Sequence, residues 1–224
     1  MACMVQSDRA PAQRGSQKWI QKLVNENQVL LDSHIAKELE LLESDSIEWL
    51  SPLKTEGYHE YSDQESLVKL RVELRKYPLA DFWPQRGPKW DALGRTKSGK
   101  LLLVEAKSHI GELLSTCCAG NTSRQKIEES LKSTRRFLNS NSDADWTVGF
   151  YQVANRLAHL YLLRQNDLPA YLVFVYFLND VEMSGPATKD RWQGALDLLH
   201  SYLGLGRHKL QKYIAEIFID VREI

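Results

Sequence analysis

Trp90-Asp91-Ala92-Leu93-Gly94-Arg95-Thr96-Lys97-Ser98-Gly99-Lys100-Leu101-Leu102-Leu103-Val104-Glu105-Ala106-Lys107 is the stretch on which the fold turns. Two strand-like runs, 90–95 and 100–106, flank Lys97-Ser98-Gly99-Lys100, and the Ser-Gly pair predicts an antiparallel hairpin. Leu101-Leu102-Leu103-Val104 is apolar at every position instead of alternating, so this strand is expected to be central and covered on both faces. It then ends on charge. Glu105 and Lys107 are two residues apart, so their side chains share one face of the strand. If the hairpin pairs the two runs, Asp91 meets Glu105.

Working outward, Phe82-Trp83-Pro84 and Gly87-Pro88 punctuate the chain before the hairpin. Further upstream, Trp19, Leu23, Leu30, Leu31, Ile35, Leu39 and Leu42 recur near helical spacing and predict one long helix, ended before Ser51-Pro52. A short helix is expected from Asp63, with Asp63 as its cap. Downstream, 111–122 reads as a loop. Thr122-x-x-Gln125 is a capping-box pattern opening a helix whose apolar stripe is Ile127, Leu131, Leu138 and Phe137. A polar turn at 139–145, a helix at 147–164, a strand at 171–178, a helix at 190–203 and a strand at 214–221 follow. The order predicts an α/β domain with a mixed sheet over 16–224, preceded by a loose tail at 1–15.

Composition bounds the function. With 224 residues, 43% apolar and 26% charged, the chain is expected to bury one sizeable core. The formal net charge is zero, so any attraction for nucleic acid has to be local. The cysteines Cys3, Cys117 and Cys118 have neither disulfide nor zinc-site spacing, and a reducing, cytoplasmic setting is the expectation. No run is long enough to span a bilayer and no signal-peptide core is present, so no membrane partner is expected.

Magnesium takes a few hard oxygen ligands, and two carboxylates on neighbouring strands can supply an open site. Asp91 and Glu105 are the candidate ligands for Mg²⁺ or Mn²⁺, with the backbone carbonyl of Ala106 and the carboxylate of Glu60 as further donors. A lysine at position 107 can stabilise charge building on a phosphate or help deprotonate an attacking water. The alternative is a plain hairpin salt bridge. Local charge favours the first reading: between Arg86 and Lys107 there are six Lys/Arg and two Asp/Glu, the kind of strip phosphate backbones favour. Lys89, Arg95 and His109 fall in or beside it. A second constellation, Gln152, Asn155, Arg156 and His159, lies at i, i+3, i+4 and i+7 and forms one polar stripe on an otherwise apolar helix. It faces either water or a polar cleft. Glu112 is a candidate cleft or surface residue, Trp83 and Trp90 are candidate core residues near the site, and Arg135-Arg136 is read as a solvated helix face.

Asp91 followed by Glu105-Ala106-Lys107 resembles the signature of the PD-(D/E)XK nuclease superfamily, the restriction-endonuclease-like fold. Gly87-Pro88-Lys89-Trp90-Asp91 and Val104-Glu105-Ala106-Lys107-Ser108-His109 look like a bacterial branch of it. The family's proline before the acid is replaced by Trp90, with Pro88 nearby. The resemblance covers about 75–180 and implies an αβββαβ core, whose first strand is sought near 79–82. It also implies a helix with Gln152 beside the metal. The expectation is a metal-dependent nuclease acting on nucleic acid, DNA before RNA. Its catalytic residues are Asp91, Glu105, Lys107 and Gln152, with Asn155, Arg156, His159, Lys89, Arg95 and His109 on the phosphate or nucleic acid. A homodimer stays open, as does a nuclease-like fold without catalysis that serves as a binding module.

Overall fold

The computed structural model describes residues 10–42 and 44–224. Among them are five strands in one mixed sheet, in the spatial order β1 (Ile47–Ser51), β2 (Ala92–Thr96), β3 (Leu101–Lys107), β4 (Ala170–Leu178) and β5 (Ile214–Asp220). The pairs β1–β2 and β2–β3 are antiparallel; β3–β4 and β4–β5 are parallel. The expected hairpin is present, and β3 is buried at all seven positions.

Alternation along the strands sorts the core into two layers. Leu102, Val104 and Ala106 of β3, with Val173, Val175 and Phe177 of β4, meet α1 (Gly15–Glu26) and α2 (Gln28–Glu38) through Ile20, Leu23, Val24, Leu31 and Ile35. Leu101 and Leu103, with Leu172, Phe174 and Tyr176, face the other way. They pack under α5 (Asn121–Leu138), α6 (Tyr151–Gln165) and α7 (Lys189–Leu203). Each layer buries apolar side chains on the order of 1.5–3 kcal/mol apiece, which is what makes the pleat alternation binding on the fold. Glu105 and Lys107 fall on the α5–α7 side by the same alternation.

Several expectations need correction. The first strand is Ile47–Ser51, whereas 79–82 forms the short helix α4 (Leu79–Phe82) after Pro78. Trp49 lies against Gly94, where an added Cβ would sit 3.2 Å from the indole, so the missing side chain makes room for β1. The sheet therefore reaches well outside 75–180. The long N-terminal helix is two helices, broken at Asn27, which adopts a non-helical conformation. Asn25 there spends its amide on the carbonyls of Gln21 and Pro52, the competition with helix that Asn favours. The expected tail at 1–15 lies outside the described residues for 1–9, and Gly15 already opens α1.

The capping box is not formed. Gly120 occupies the cap of α5, and Thr122 is already inside its first turn. Asp63 lies in the first turn of α3 (Asp63–Lys69), with Ser62 at the cap. Its carboxylate accepts instead from the backbone N–H groups of Arg86 and Gly87, at 2.9 and 2.8 Å. The helix expected from 147 starts at Tyr151, because Thr147 folds back on Asp145 through its N–H and hydroxyl and Gly149 takes a positive φ. Within the expected loop 111–122, a short helical turn runs Ile110–Leu113, and Ser115 bridges Phe150. No helix among the described residues is long and apolar enough to cross a membrane.

Candidate active site

The hairpin register decides the geometry. The β2–β3 ladder ends with Ala92 opposite Val104; Asp91, just before β2, donates its N–H to the Val104 carbonyl at 3.1 Å and lies near enough to Glu105 for the two carboxyls to repel. Beyond β2, the Ala106 N–H donates to Asp91 Oδ2 at 2.7 Å. The N–H and C=O of one strand residue point to the same side, so the Ala106 carbonyl is also turned toward the Asp91 side.

Four polar side chains meet here. Lys107 Nζ donates to Glu105 Oε1 at 2.5 Å and to Gln152 Oε1 at 2.8 Å. Arg156 Nε donates to Glu105 Oε2 at 2.5 Å, and its outer nitrogen donates to the Lys89 carbonyl at 2.8 Å. Its guanidinium lies 4.9 Å from the Trp90 ring centre. Glu105 is fully buried; Lys107 and Arg156 are nearly so. Gln152 is held from behind, as its N–H donates to Ser115 Oγ at 2.7 Å. The Gln152–Arg156 part of the stripe thus faces a buried polar cluster and not water.

The electrostatics divide the two carboxylates. Burial pushes Glu105 upward, but Arg156 and Lys107 outweigh it and hold the carboxyl below its usual range. Asp91 is only partly covered by area yet is pushed up to about 8. Burial is the larger cause and repulsion from Glu105 the next; Lys107, the Ala106 N–H and Arg156 pull less strongly the other way. One acid is therefore ionised and doubly neutralised, and its neighbour lacks a cation of its own.

The remaining expected residues distribute unevenly. Asn155 and His159 are buried, at 6% and 7% exposure, and present no surface to a backbone phosphate. His159 Nδ1 contacts the Asn155 carbonyl at 2.9 Å, its ring lies edge-on to Trp83 and Trp90, and burial pushes its pKa down to about 3. Arg95 is four residues from Asp91 along β2, about 13 Å, and donates to the Leu70 carbonyl. Glu60 accepts from Gln17 at 2.8 Å and lines, with exposed Lys89, a small cleft of about 180 Å³. His109 lies 3.8 Å from Glu112, whose other oxygen accepts from the Ser108 N–H at 2.6 Å.

One element went unread in the sequence. Asp180, just past the C-terminal end of β4, is buried and accepts from Ser108 Oγ and from Trp19 Nε1, the latter at 2.8 Å. It ties α1 to the strand end that carries Lys107. The signal available was its position: polar residues at the carboxyl ends of parallel strands are where α/β sheets place their sites. No protein-family model, curated protein or solved structure matches the chain.

Proposed function

We propose that the chain is a metal-dependent nuclease with a restriction-endonuclease-like core, hydrolysing phosphodiester bonds in nucleic acid, DNA before RNA. The observation that carries the reading is Asp91 held at the end of the hairpin by the Val104 carbonyl and the Ala106 N–H, beside a Glu105 that is joined through Lys107 to Gln152. In support of the core, the α1/α2 layer, the antiparallel strands β1, β2 and β3, the α5/α6 layer and parallel β4 follow in the order αβββαβ once α3 and α4, inserted between β1 and β2, are set aside.

The residues fit one divalent cation. Asp91 offers a carboxyl group with no ion-pair partner among the described residues, Glu105 a second one near it, and the Ala106 carbonyl is turned to the Asp91 side. A bound Mg²⁺ or Mn²⁺ supplies Lewis acidity, drawing charge from a phosphoryl oxygen and acidifying water. Lys107, buried and held by Glu105 and Gln152, keeps its ammonium where charge develops on the phosphate. Arg156 does not face the substrate in this reading; it fixes Glu105 and the loop at Lys89.

Cleavage of plasmid and of single-stranded DNA and RNA with Mg²⁺ or Mn²⁺ tests the proposal, wild type against Lys107→Ala and Asp91→Ala. Loss of at least ~100-fold in rate in both variants is expected. Unchanged cleavage in both refutes the assignment. A second reading, a binding module without catalysis, is favoured by one observation: both oxygens of Glu105 are already taken by Lys107 and Arg156. Calorimetric titration separates the two, because the nuclease binds Mn²⁺ in a manner lost in Asp91→Ala and the module binds none.

A further inference from the structure

At the end of the sheet away from Asp91 and Glu105, an open groove of about 870 Å³ runs between the C-terminal turn of α5 and the segment joining α7 to β5. Arg136, Arg207, Lys209 and Lys212 line it, all four exposed, and no Asp or Glu does. None of the four has a carboxylate partner among the described residues. Between Asp197 and Glu216 the chain carries three Arg/Lys and no acid. In a protein of zero net charge, an uncompensated basic groove is a local departure that the fold has assembled from two separate segments. Phe137 gives it an apolar floor, with the Lys209 ammonium 5.0 Å from the ring centre.

We propose that this groove is a second binding site for the phosphate backbone of nucleic acid, distinct from the site of hydrolysis; the proposal rests on the reading of the chain as a nuclease. Phosphate is the ligand the lining fits. Clustered guanidinium and ammonium groups without acids favour a polyanion, and Asn139 and Gln211, the amides in the lining, can add neutral hydrogen bonds to phosphate oxygens. Acidic residues appear only in the adjoining cleft, as Glu38 and Glu216, and bound the groove on that side. The spacing suits one continuous substrate. Arg164, near the far end of α6, lies 3.6 Å from the Tyr213 ring centre beside the groove, and Gln152 is twelve residues earlier, at the candidate active site. Twelve helical residues rise about 18 Å, the length of about 5 base pairs at 3.4 Å each. Along the α6 axis the candidate active site and the neighbourhood of the groove are therefore about half a duplex turn apart.

Fluorescence anisotropy of a labelled 20-base-pair duplex, titrated across salt in EDTA so that nothing is cleaved, tests this with the full chain. Arg207→Ala/Lys209→Ala is expected to weaken binding by ~10-fold near 0.1 M salt and to lower the slope of log K against log salt by about 2, one for each lost phosphate contact. Arg75→Ala, a charge removed from an exposed loop elsewhere, leaves the slope unchanged, and an unaltered circular dichroism spectrum shows that the double variant is folded. Wild-type affinity and slope in the double variant overturn the proposal. So does wild-type binding to phosphatidylserine vesicles but not to the duplex. Its fate is separable from that of the catalytic reading: a groove-dependent slope with no cleavage in Mg²⁺ or Mn²⁺ keeps the groove and discards the nuclease, and cleavage with an unchanged slope does the reverse.

Discussion

Arg156→Met isolates what holds the centre of the protein together. Glu105 is fully buried and has two cationic partners, Arg156 and Lys107, each at 2.5 Å. Methionine keeps most of the volume against Trp90 and removes the charge, the bond to Glu105 Oε2 and the bond to the Lys89 carbonyl. Removing one partner of a buried pair costs about 3–5 kcal/mol, since the remaining ion is left under-compensated. Lys107 still balances the Glu105 charge after the substitution, which places the expectation at the low end, near 3 kcal/mol. For a chain of this length that is a fall in Tm of roughly 6–12 °C.

Urea unfolding at pH 7 measures it, and Glu105→Gln/Arg156→Met completes a double-mutant cycle. The double variant removes both charges and is expected to recover at least ~1 kcal/mol relative to the sum of the singles. The acid limb provides a second readout. Glu105 is held below its ordinary value of 4.5, so its contribution is present above that value and is lost as pH falls through its folded pKa. Without Arg156 one of the two cations holding Glu105 down is gone, so the variant should lose less stability than wild type as pH falls. A loss under ~1 kcal/mol, or strict additivity in the cycle, refutes the coupling argued here.

Three further outcomes follow from the same geometry. Asp91, at about 8 in the folded chain against an ordinary value of 3.8, binds more protons folded than unfolded between those values, so it withdraws stability as pH rises. Measured without metal, Asp91→Asn should gain roughly 2 kcal/mol over wild type on going from pH 5 to pH 7, after a discount for partial exposure; no pH-dependent difference in urea midpoints disproves the shift. His159, pushed down to about 3 by burial, acts in the opposite sense, because the unfolded ring takes a proton that the folded one refuses. His159→Phe should therefore gain roughly 2 kcal/mol relative to wild type on going from pH 7 to pH 5, and equal thermal shifts at both pH values would contradict it. At Gly185 an added Cβ would lie 2.4 Å from the Ser108 carbonyl oxygen, so Gly185→Ala must move backbone one residue from Lys107. About 1–3 kcal/mol of destabilisation is expected, read as a lower urea midpoint, and an unchanged midpoint would show that the loop yields freely.

Much of the fold was legible because local pattern and tertiary demand agree. The unbroken run Leu101-Leu102-Leu103-Val104 and the Ser-Gly turn are strong local signals, and the hairpin and the burial of β3 follow from them. The strand at Ile47–Ser51 was not legible. Ile47-Glu48-Trp49-Leu50-Ser51 is short and breaks strict alternation at Leu50, so it does not stand out, and the room for Trp49 comes from Gly94, forty-five residues away. The break at Asn27 was hidden for a related reason: apolar spacing continued across it, while the cause was a side chain turning to carbonyls of its own helix and of Pro52.

The candidate site divides along the same line. Sequence by itself determined which groups stand together on β3, since a period of two places Glu105 and Lys107 on one face in any sheet. It also determined that Gln152 and Arg156 share a helix face, since four residues make one turn. Only the tertiary structure decided what those groups touch. The bonds of Asp91 to Val104 and Ala106 set it beside Glu105, the packing of α6 on β3 sent Lys107 to Gln152 and Arg156 to Glu105, and the depth of that packing buried Asn155 and His159. Pairing, burial and charge compensation are properties of contacts between segments distant in the chain, and no local period encodes them.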